Sequence, residues 1–311
     1  MTEYFLVRDI TDELLNEYTE ALRAYAPRSC EYAYANLFAW QDSYDTRMAR
    51  LPDGSFSVVF TIDDELSFLP PVGEKCDMEM FLNEVSEYCK RCGKSSFYLG
   101  GFLKDEAEKA ESILKNCVFK PDRGNFDYIY EVLPLETFSG KKLHAKRNHL
   151  NRFLKTYDGR YEINPLTKEL CEECKLFTAE WTRINEEYSS DGLEEEAEST
   201  YTLLDNFDLF SLSGLCLYVD GKMAGFTLGE ETYPGSDTIV VHMEKGLYDI
   251  QGVYPMLFSS YLKSLGGKFR YVNREDDVDD EGLRKSKLSY NPCQFVEKYL
   301  AKVSVKTVEK V

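Results

Sequence analysis

The sequence predicts a mixed α/β (α+β) protein made of two consecutive units, each with a mixed, mostly antiparallel sheet flanked by helices. One observation is that both halves carry the same order of elements: helices, an antiparallel β-meander, a helix, a strand, a helix and closing strands. A second is that Pro134 and Ser139-Gly140 interrupt the periodic pattern between the halves. The expected units therefore cover 1–135 and 136–311. The repeat is one of element order, since no repeat of the residues accompanies it.

In the first half, apolar residues at helical spacing predict that the first thirty residues are helical, and an aromatic-rich helix follows over 31–40. Short apolar runs separated by Pro, Asp, Gly and Ser predict a meander. The remaining elements are expected as strands over 45–51, 56–61 and 66–69, a helix over 78–92, a strand over 96–99, a helix over 104–115, and strands near 118–120 and 128–132.

The second half begins with three predicted helices, and Asp220-Gly221 then marks a tight hairpin turn between two strands. The expected helices cover about 141–156, 167–188 and 194–206. The later elements are expected as strands over 215–219, 222–230 and 238–244, a helix over 253–265, a strand over 269–273, a helix over 281–289, and a strand near 295–300.

The composition argues against several classes of protein. The 311 residues include 43% hydrophobic residues and carry a formal net charge of −18. This charge repels the phosphates of nucleic acid from most of the surface, although a local basic patch remains able to bind RNA. No run approaches the ~20 apolar residues of a membrane span, and the N-terminal residues lack a secretion signal. With nine scattered cysteines, the chain is expected in the reducing cytoplasm.

The densest reversal of charge lies where the strand over 269–273 ends. Six acids occupy the seven positions 275–281, and a helix with Arg284, Lys285 and Lys287 follows. The later acids suit the start of that helix, where carboxylates accept hydrogen bonds from free N–H groups. A calcium loop is a poorer interpretation because the spacing does not match, and no metal ligand set is predicted.

Earlier residues of the same segment lie at the strand end, where open α/β sheets often bind ligands. Asn273, Arg274 and Glu275 are therefore candidates to face a substrate, and Glu275 is also a candidate catalytic residue. The basic residues of the helix are candidates to hold an anion, with Arg284 and Lys287 on one face. Tyr290 is either a proton donor to a leaving group or a core aromatic residue.

The strand over 238–244 supplies candidate proton acceptors. Strict alternation would place His242 and Glu244 on one side of the strand and Lys245 on the other. Either His242 or Glu244 would serve as a proton acceptor in a reaction at this strand. A satisfied core histidine is the alternative for His242.

Several segments resemble a known family. They are Tyr34-Ala-Asn-Leu-Phe-Ala-Trp40, Lys146-Arg-Asn-His-Leu-Asn-Arg-Phe153, His242-Met-Glu-Lys245, and Asn273-Arg-Glu-Asp together with Gly282-Leu-Arg-Lys-Ser-Lys-Leu-Ser-Tyr290. On these residues and on the element order, the chain resembles a stand-alone member of the phosphatidylglycerol lysyltransferase C-terminal domain family. The resemblance implies two tandem Gcn5-related acyltransferase units, as in Fem-type peptidyl transferases.

The resemblance also implies a reaction. An aminoacyl or acyl group would move from aminoacyl-tRNA to an amine or hydroxyl acceptor, such as a lipid headgroup or a peptide. Two alternatives stay open: a non-catalytic ligand-binding module on the same fold, and a coenzyme A-dependent N-acetyltransferase.

A basic segment over 141–155 carries six Lys or Arg residues and no acid. It is either a phosphate-facing helix or a solvated linker helix that balances the acidic surface. Fem-type transferases have a basic helix after the first unit, and this likeness carries a substrate-binding role onto Lys146, Arg147 and Arg152.

The loop that would hold the pyrophosphate of coenzyme A departs from the pattern of the acetyl-CoA enzymes. That pattern is Gln/Arg-x-x-Gly-x-Gly/Ala, and the chain has Asp249-Ile-Gln-Gly-Val-Tyr254 in its place. Only Gly252 fits, as a candidate cofactor-binding residue, while Asp249 brings a negative charge toward the phosphates. Coenzyme A is therefore disfavoured, and no other cofactor is predicted.

Overall fold

The computed structural model describes residues 6–9, 14–114, 116–185 and 192–308. Within these ranges, helices flank two mixed sheets of seven strands each, so the predicted α/β class is confirmed. Lys115 and residues 186–188, the ends of two predicted helices, lie outside the described ranges. Among the described residues, none of the helices combines the length and the apolar character that a membrane crossing requires.

The helices are named in chain order. They are α1 (Leu15–Tyr25), α2 (Tyr34–Ala39), α3 (Gln41–Tyr44), α4 (Met78–Arg91), α5 (Lys104–Ile113), α6 (Val132–Thr137), α7 (His144–Thr156), α8 (Cys171–Asn185), α9 (Leu193–Asp205), α10 (Val253–Ser264), α11 (Glu281–Leu288) and α12 (Val305–Val308).

The strands follow the same convention. They are β1 (Leu6–Asp9), β2 (Arg47–Arg50), β3 (Phe56–Ile62), β4 (Glu65–Phe68), β5 (Ser96–Phe102), β6 (Lys120–Pro121), β7 (Asp127–Glu131), β8 (Tyr161–Pro165), β9 (Ser213–Val219), β10 (Lys222–Glu231), β11 (Thr238–Gly246), β12 (Tyr271–Asn273), β13 (Gln294–Val296) and β14 (Tyr299–Ser304).

The two sheets share one topology. The first has the order β1-β2-β3-β4-β5-β14-β6, and the second has the order β13-β7-β12-β11-β10-β9-β8. In each, an antiparallel meander leads into one parallel pair, β4–β5 in the first sheet and β11–β12 in the second. A helix connects the strands of each pair, as a parallel connection requires. The strand beyond each pair is antiparallel to it: β14 beside β5, and β7 beside β12.

The chain therefore does not divide at residue 135. The first compact unit contains Met1–Asp127, Tyr233–Gly235 and Val296–Val311, and the second contains Tyr128–Thr232 and Ser236–Phe295. The reason is strand pairing: β14, from the second half of the sequence, completes the first sheet, whereas β7, from the first half, completes the second. Periodicity identifies a strand but not its partner.

The strands differ from the sequence prediction in three places. The single strand expected near 295–300 is two strands, β13 and β14, in different sheets. Leu6–Asp9 form β1, paired antiparallel with β2, so the expectation of helix throughout the first thirty residues is wrong there. The strand β8 was not expected; it pairs antiparallel with β9 at the edge of the second sheet. The pairing of these edge strands, and not a strong local pattern, determines their structure.

Each sheet has its own core. In the first unit, apolar side chains of α4, α5 and α12 pack with those of β2–β5 and β14. In the second unit, α6, α7 and α10 pack with β7, β9, β10, β11 and β12. Side chains of α8 and α9 contact the other face of the second sheet, where Trp181 Nε1 donates to the Gly246 carbonyl.

A buried charged cluster lies in the first unit. Lys298 is 0% exposed, and its Nζ lies 2.5 Å from Asp127 Oδ1 and also contacts a Glu31 carboxylate oxygen. The thiol of Cys30 donates to Asp127 at 3.3 Å, and the Cys30 N–H donates to the same carboxylate. Burial raises the pKa of Glu31, although Lys298 acts in the opposite direction. The ammonium group is thus the cation of this cluster.

We expect Lys298→Met to lower the free energy of unfolding by about 3–5 kcal/mol, since it leaves buried carboxylates without their counter-charge. Urea unfolding monitored by circular dichroism measures this loss. Lys302→Met is the matched control, because its ion pair with Glu65 is exposed at the surface, and we expect it to cost less than about 1 kcal/mol. Equal losses in the two variants would show that the cluster does not stabilise the first unit.

Candidate active site

The candidate active site lies in the second unit, where the parallel strands β11 and β12 separate. Their pairing joins Thr238–Val240 to Tyr271–Asn273. Beyond Val240, β11 continues beside β10 as far as Gly246. Side chains from this part of β11 and from the residues after β12 meet in the gap. Such ends of parallel strands commonly form ligand sites.

Glu244 and Arg274 form a buried ion pair in this gap. Arg274 Nη2 lies 2.9 Å from Glu244 Oε1, and the side chains are 12% and 8% exposed. The guanidinium carbon also lies 4.3 Å from the ring centroid of Phe258 and 4.6 Å from that of Tyr290. Aromatic faces attract a cation more strongly where water is removed. The sequence nominated both charged residues, whereas nothing in it distinguished Phe258 from other core residues.

One atom of each partner lacks a hydrogen bond. Among the described residues, neither Glu244 Oε2 nor Arg274 Nη1 has a partner, although both atoms are buried. Buried polar atoms usually find partners, and an unsatisfied one costs about 1–3 kcal/mol. Burial also raises the pKa of Glu244, while Arg274, Lys146 and Lys287 act in the opposite direction. The pair therefore offers one acceptor with raised proton affinity and one donor.

Lys146, from α7, reaches the same cluster. Its Nζ lies 3.9 Å from the ring centroid of Tyr290. Burial and the nearby Arg274 lower the pKa of Lys146 to about 8, although Glu244 acts in the opposite direction. Two cations thus share one aromatic ring, with Glu244 as their nearby carboxylate.

Tyr290 was predicted as either a proton donor or a core aromatic residue, and its surroundings are those of a core aromatic residue. It is 3% exposed and packs against Phe138 and Phe258. Burial raises the pKa of its phenol, so the side chain is neutral. The ring face supports Lys146 and Arg274, and this arrangement favours a positioning role over proton donation.

His242 lies between two carboxylates. Its Nδ1 is 2.8 Å from Glu275 Oε1, and its Nε2 is 3.1 Å from Glu230 Oε1. A neutral imidazole donates only one hydrogen bond, so these two contacts favour the doubly protonated ring. Burial alone lowers the pKa of His242, but the bonds to both carboxylates outweigh it and raise the pKa to about 9. A protonated His242 does not accept a proton at neutral pH. Of the two candidate proton acceptors, Glu244 stays the prediction.

A β-bulge at His242 changes the expected alternation. Leu228 pairs with Met243, whereas the next residue, Gly229, pairs with Val241, so His242 is skipped. A Cβ at Gly229 would lie 2.0 Å from the Val240 carbonyl oxygen, which explains the glycine. Lys245 contacts Glu196 on α9 and Trp181 on α8. Strict alternation, which would place His242 and Glu244 on one side of the strand and Lys245 on the other, is interrupted by the bulge at His242.

The acidic segment after β12 is a tightly bonded turn. Asn273 is fully buried, and its Oδ1 accepts from the Glu275 N–H at 2.7 Å. Glu275, Val278 and Asp279 all have positive φ angles, which are uncommon outside glycine. Asp280 caps α11 by accepting from the Leu283 N–H. The structural role expected for the later acids is confirmed at Asp280, and Glu275, 26% exposed, contacts His242.

Two of the three predicted anion-binding residues of α11 are engaged within this turn. Arg284 donates to both carboxylate oxygens of Asp277, at 2.6 and 3.0 Å, and to Asp279. Lys287 Nζ donates to the carbonyls of Arg274 and Asp276. They share one face, as expected, but that face lies against the turn. Lys285 is exposed, and its anion-binding role stays a prediction.

The basic residues of α7 differ in their surroundings. Arg147 Nη1 donates to the carbonyls of Phe138 and Gly140, which gives this residue a structural contact that the sequence did not indicate. Arg152 is exposed, and its predicted contact with phosphates stays a prediction. Only Lys146 of the three lies in the Glu244–Arg274 cluster.

Gly252, the candidate cofactor-binding residue, begins α10 with a φ of 86°. A Cβ at this position would lie 2.6 Å from the His149 carbonyl oxygen and 3.0 Å from Phe153 Cβ. Close packing of α7 against the start of α10 therefore explains the glycine. Its cofactor-binding role stays a prediction.

An apolar groove of about 530 Å³ lies elsewhere in the second unit. Leu150, Leu154, Ile163 and Met256 are among its lining residues, and none of the charged residues of the cluster lines it. We assign the site by its charged groups, since reaction chemistry needs them and the groove supplies almost none.

The pKa of His242 predicts a pH-dependent stability. A group whose pKa rises from about 6.5 in the unfolded chain to about 9 in the folded protein stabilises the fold below pH 6.5 by about 3 kcal/mol. That stabilisation is lost as the pH rises through 9. The difference in unfolding free energy between the unmodified protein and His242→Gln should therefore shrink between pH 6.5 and 9.5. Urea unfolding at several pH values measures it.

His144→Gln provides a surface control, because His144 is exposed. Its difference from the unmodified protein should stay small at every pH. A difference for His242→Gln that is constant with pH would contradict the protonated, doubly bonded ring.

Comparisons with known proteins find chains of similar sequence and fold. A conserved protein from Bacteroides thetaiotaomicron has a solved structure that is 34% identical to this chain, covers 96% of it and 99% of that protein, and has a TM-score of 0.89. The structure of L-PGS from Bacillus licheniformis is 16% identical, covers 94% and 92%, and has a TM-score of 0.65. An uncharacterized protein of Mycoplasmoides gallisepticum is 27% identical over 177 residues, which are 57% of this chain and 56% of that protein.

The described fold, two mixed sheets flanked by helices, is of the Gcn5-related acyltransferase-like type that the sequence predicted. The family model described as phosphatidylglycerol lysyltransferase, C-terminal, matches residues 22–302, which is most of the sequence. The chain therefore belongs to the phosphatidylglycerol lysyltransferase C-terminal domain family.

Proposed function

We propose that this protein transfers an aminoacyl group from aminoacyl-tRNA to an amine or hydroxyl acceptor at the Glu244–Arg274 pair. The observation that carries the proposal is the buried ion pair with one unpartnered acceptor and one unpartnered donor. Attack of an amine or hydroxyl on an ester needs a proton acceptor and a donor for the developing oxyanion. Family membership supports the same reaction class.

Each partner of the pair has one role in this proposal. Glu244 Oε2 accepts the proton of the attacking amine or hydroxyl, and the raised pKa of this carboxyl makes it a stronger base than an exposed glutamate. Arg274 Nη1 donates to the carbonyl oxygen as negative charge develops there. The nucleophile forms a bond to the carbonyl carbon. The bond to the ribose oxygen of the tRNA breaks with its electron pair on that oxygen, which takes up the proton held by Glu244.

The neighbouring charged groups position this pair. Glu275 follows Arg274 directly and is linked through the protonated His242 to Glu230. This link holds the residues after β12 beside β11 and places a carboxylate at the partly exposed edge of the site. A cationic aminoacyl group or an acceptor amine suits that charge.

The donor's phosphates would meet the exposed basic residues of α7, Arg152 and Lys155. On a chain with a net charge of −18, such a local patch gives the tRNA one place to bind. Coenzyme A is not the donor in this proposal. Acceptors compatible with the reaction are a lipid headgroup or a peptide amine, in the cytoplasm.

The donor is tested by incubating the protein with radiolabelled aminoacyl-tRNAs, and separately with labelled acetyl-CoA, each with phosphatidylglycerol vesicles or amine-bearing peptides. We expect label to move from aminoacyl-tRNA alone. Transfer from acetyl-CoA alone would replace this function with coenzyme A-dependent acetylation. Transfer from neither donor by the folded protein would favour a ligand-binding module.

For the donor from which label is transferred, we expect Glu244→Gln to lower the rate of transfer by about 10²–10⁴-fold, because it removes the proton acceptor. Steady-state kinetics measure the loss, and circular dichroism verifies the fold. Glu162→Gln, on the exposed edge of β8, is the control and should retain the full rate. A rate within threefold of the unmodified protein in Glu244→Gln would exclude Glu244 as the base.

A further inference from the structure

Lys146 differs from the other basic residues of its helix in its surroundings. It is half-buried, and among the described residues it forms no ion pair with a carboxylate. Its Nζ lies against the Tyr290 ring, which also carries Arg274. The charged and titratable groups that face it are Arg274 after β12, Glu244 on β11 and Tyr290 after α11.

We propose that Lys146 is itself an acyl acceptor, so that an activated acyl ester modifies its Nζ when no other acceptor is bound. This inference rests on the proposed function for its natural donor, because it places an ester carbonyl beside the Glu244–Arg274 pair. The reactivity of the amine, however, is a property of the chain alone. It is therefore testable with a small ester.

The chemistry follows from the state of the amine. With a pKa of about 8, about a quarter of Lys146 is neutral at pH 7.5, against about one in a thousand for an ordinary lysine. Desolvation and a neighbouring cation are recognised means of making a lysine nucleophilic. Lys142 and Lys155 of the same segment are exposed, so their amines are not desolvated.

The step balances without an oxidant or a metal. The neutral Nζ attacks the carbonyl carbon, a C–N bond forms, and the C–O bond of the ester breaks with its electron pair on the leaving oxygen. The proton lost by Nζ passes to water. The product is an amide on Lys146, and the positive charge beside Arg274 disappears.

The experiment uses p-nitrophenyl acetate with the full chain at pH 7.5, with acetylation of each lysine quantified by mass spectrometry after digestion with a protease that does not cleave at lysine. We expect Lys146 to be acetylated at least tenfold faster than Lys142 and Lys155. Its rate should level off above pH 8. Labelling of Lys146 no faster than that of the two exposed lysines would overturn the proposal.

Two variants test the cause in opposite directions. Arg274→Gln removes the cation that lowers the pKa of Lys146, so its acetylation at pH 7.5 should slow severalfold. Glu244→Gln removes the carboxylate that raises this pKa, so acetylation should quicken. Only variants that retain their circular dichroism spectrum are compared, and Glu244→Gln suffices if Arg274→Gln does not fold. Unchanged labelling in a folded variant would contradict the proposal.

The acetylation experiment and the transfer assay test different claims, and their failures are distinguishable. Glu244→Gln is expected to slow transfer by about 10²–10⁴-fold while it quickens acetylation of Lys146. Rapid acetylation without transfer from any donor would leave a reactive lysine on a non-catalytic module, which supports this inference and sinks the proposed function. Transfer without rapid acetylation of Lys146 would support the proposed function and contradict this inference.

Discussion

The buried contact between Arg274 and Glu244 is the interaction on which the site depends. Moving both charges out of water costs several kcal/mol per ion, and the pair recovers that cost only with good geometry and further partners. The rings of Phe258 and Tyr290 supply part of that compensation for the guanidinium. One oxygen and one nitrogen nevertheless remain unpartnered. Stability alone gives no reason for such an arrangement, whereas a reaction that needs an acceptor and a donor does.

The backbone around the pair explains how it is held in place. Because β11 and β12 stop pairing after Val240, the residues beyond that point face a gap and not another ladder. The bulge at His242 then shifts the direction of the following side chains. Three positive φ angles in the turn after β12 bring the chain back toward β7, where the Tyr128 N–H donates to the Glu275 carbonyl. Strain of this kind is common at functional sites, where the surrounding contacts maintain it.

Much of the second sheet could be predicted from sequence, because its strands and helices have strong periodicity and clear turns. The density of charge over 273–290 also directed attention to the segment that contributes Arg274, Glu275 and Tyr290 to the candidate site. Contacts between side chains distant in sequence or brought together by a turn could not be predicted. Nothing local distinguishes Arg284, engaged by Asp277, from Lys285, which is exposed. Glu230, the second partner of His242, lies twelve residues away on another strand and gave no signal.

The exchange of β7 and β14 has a consequence for biosynthesis. The first sheet needs Tyr299–Ser304 between β5 and β6, so a ribosome that has released only the first half of the chain exposes a sheet with an unfilled position. Strand edges of this kind invite wrong partners. Domains commonly fold one after another as they leave the ribosome, but here the first unit waits for a strand that is synthesised after the second unit. Folding of the first unit is thereby tied to synthesis of the second.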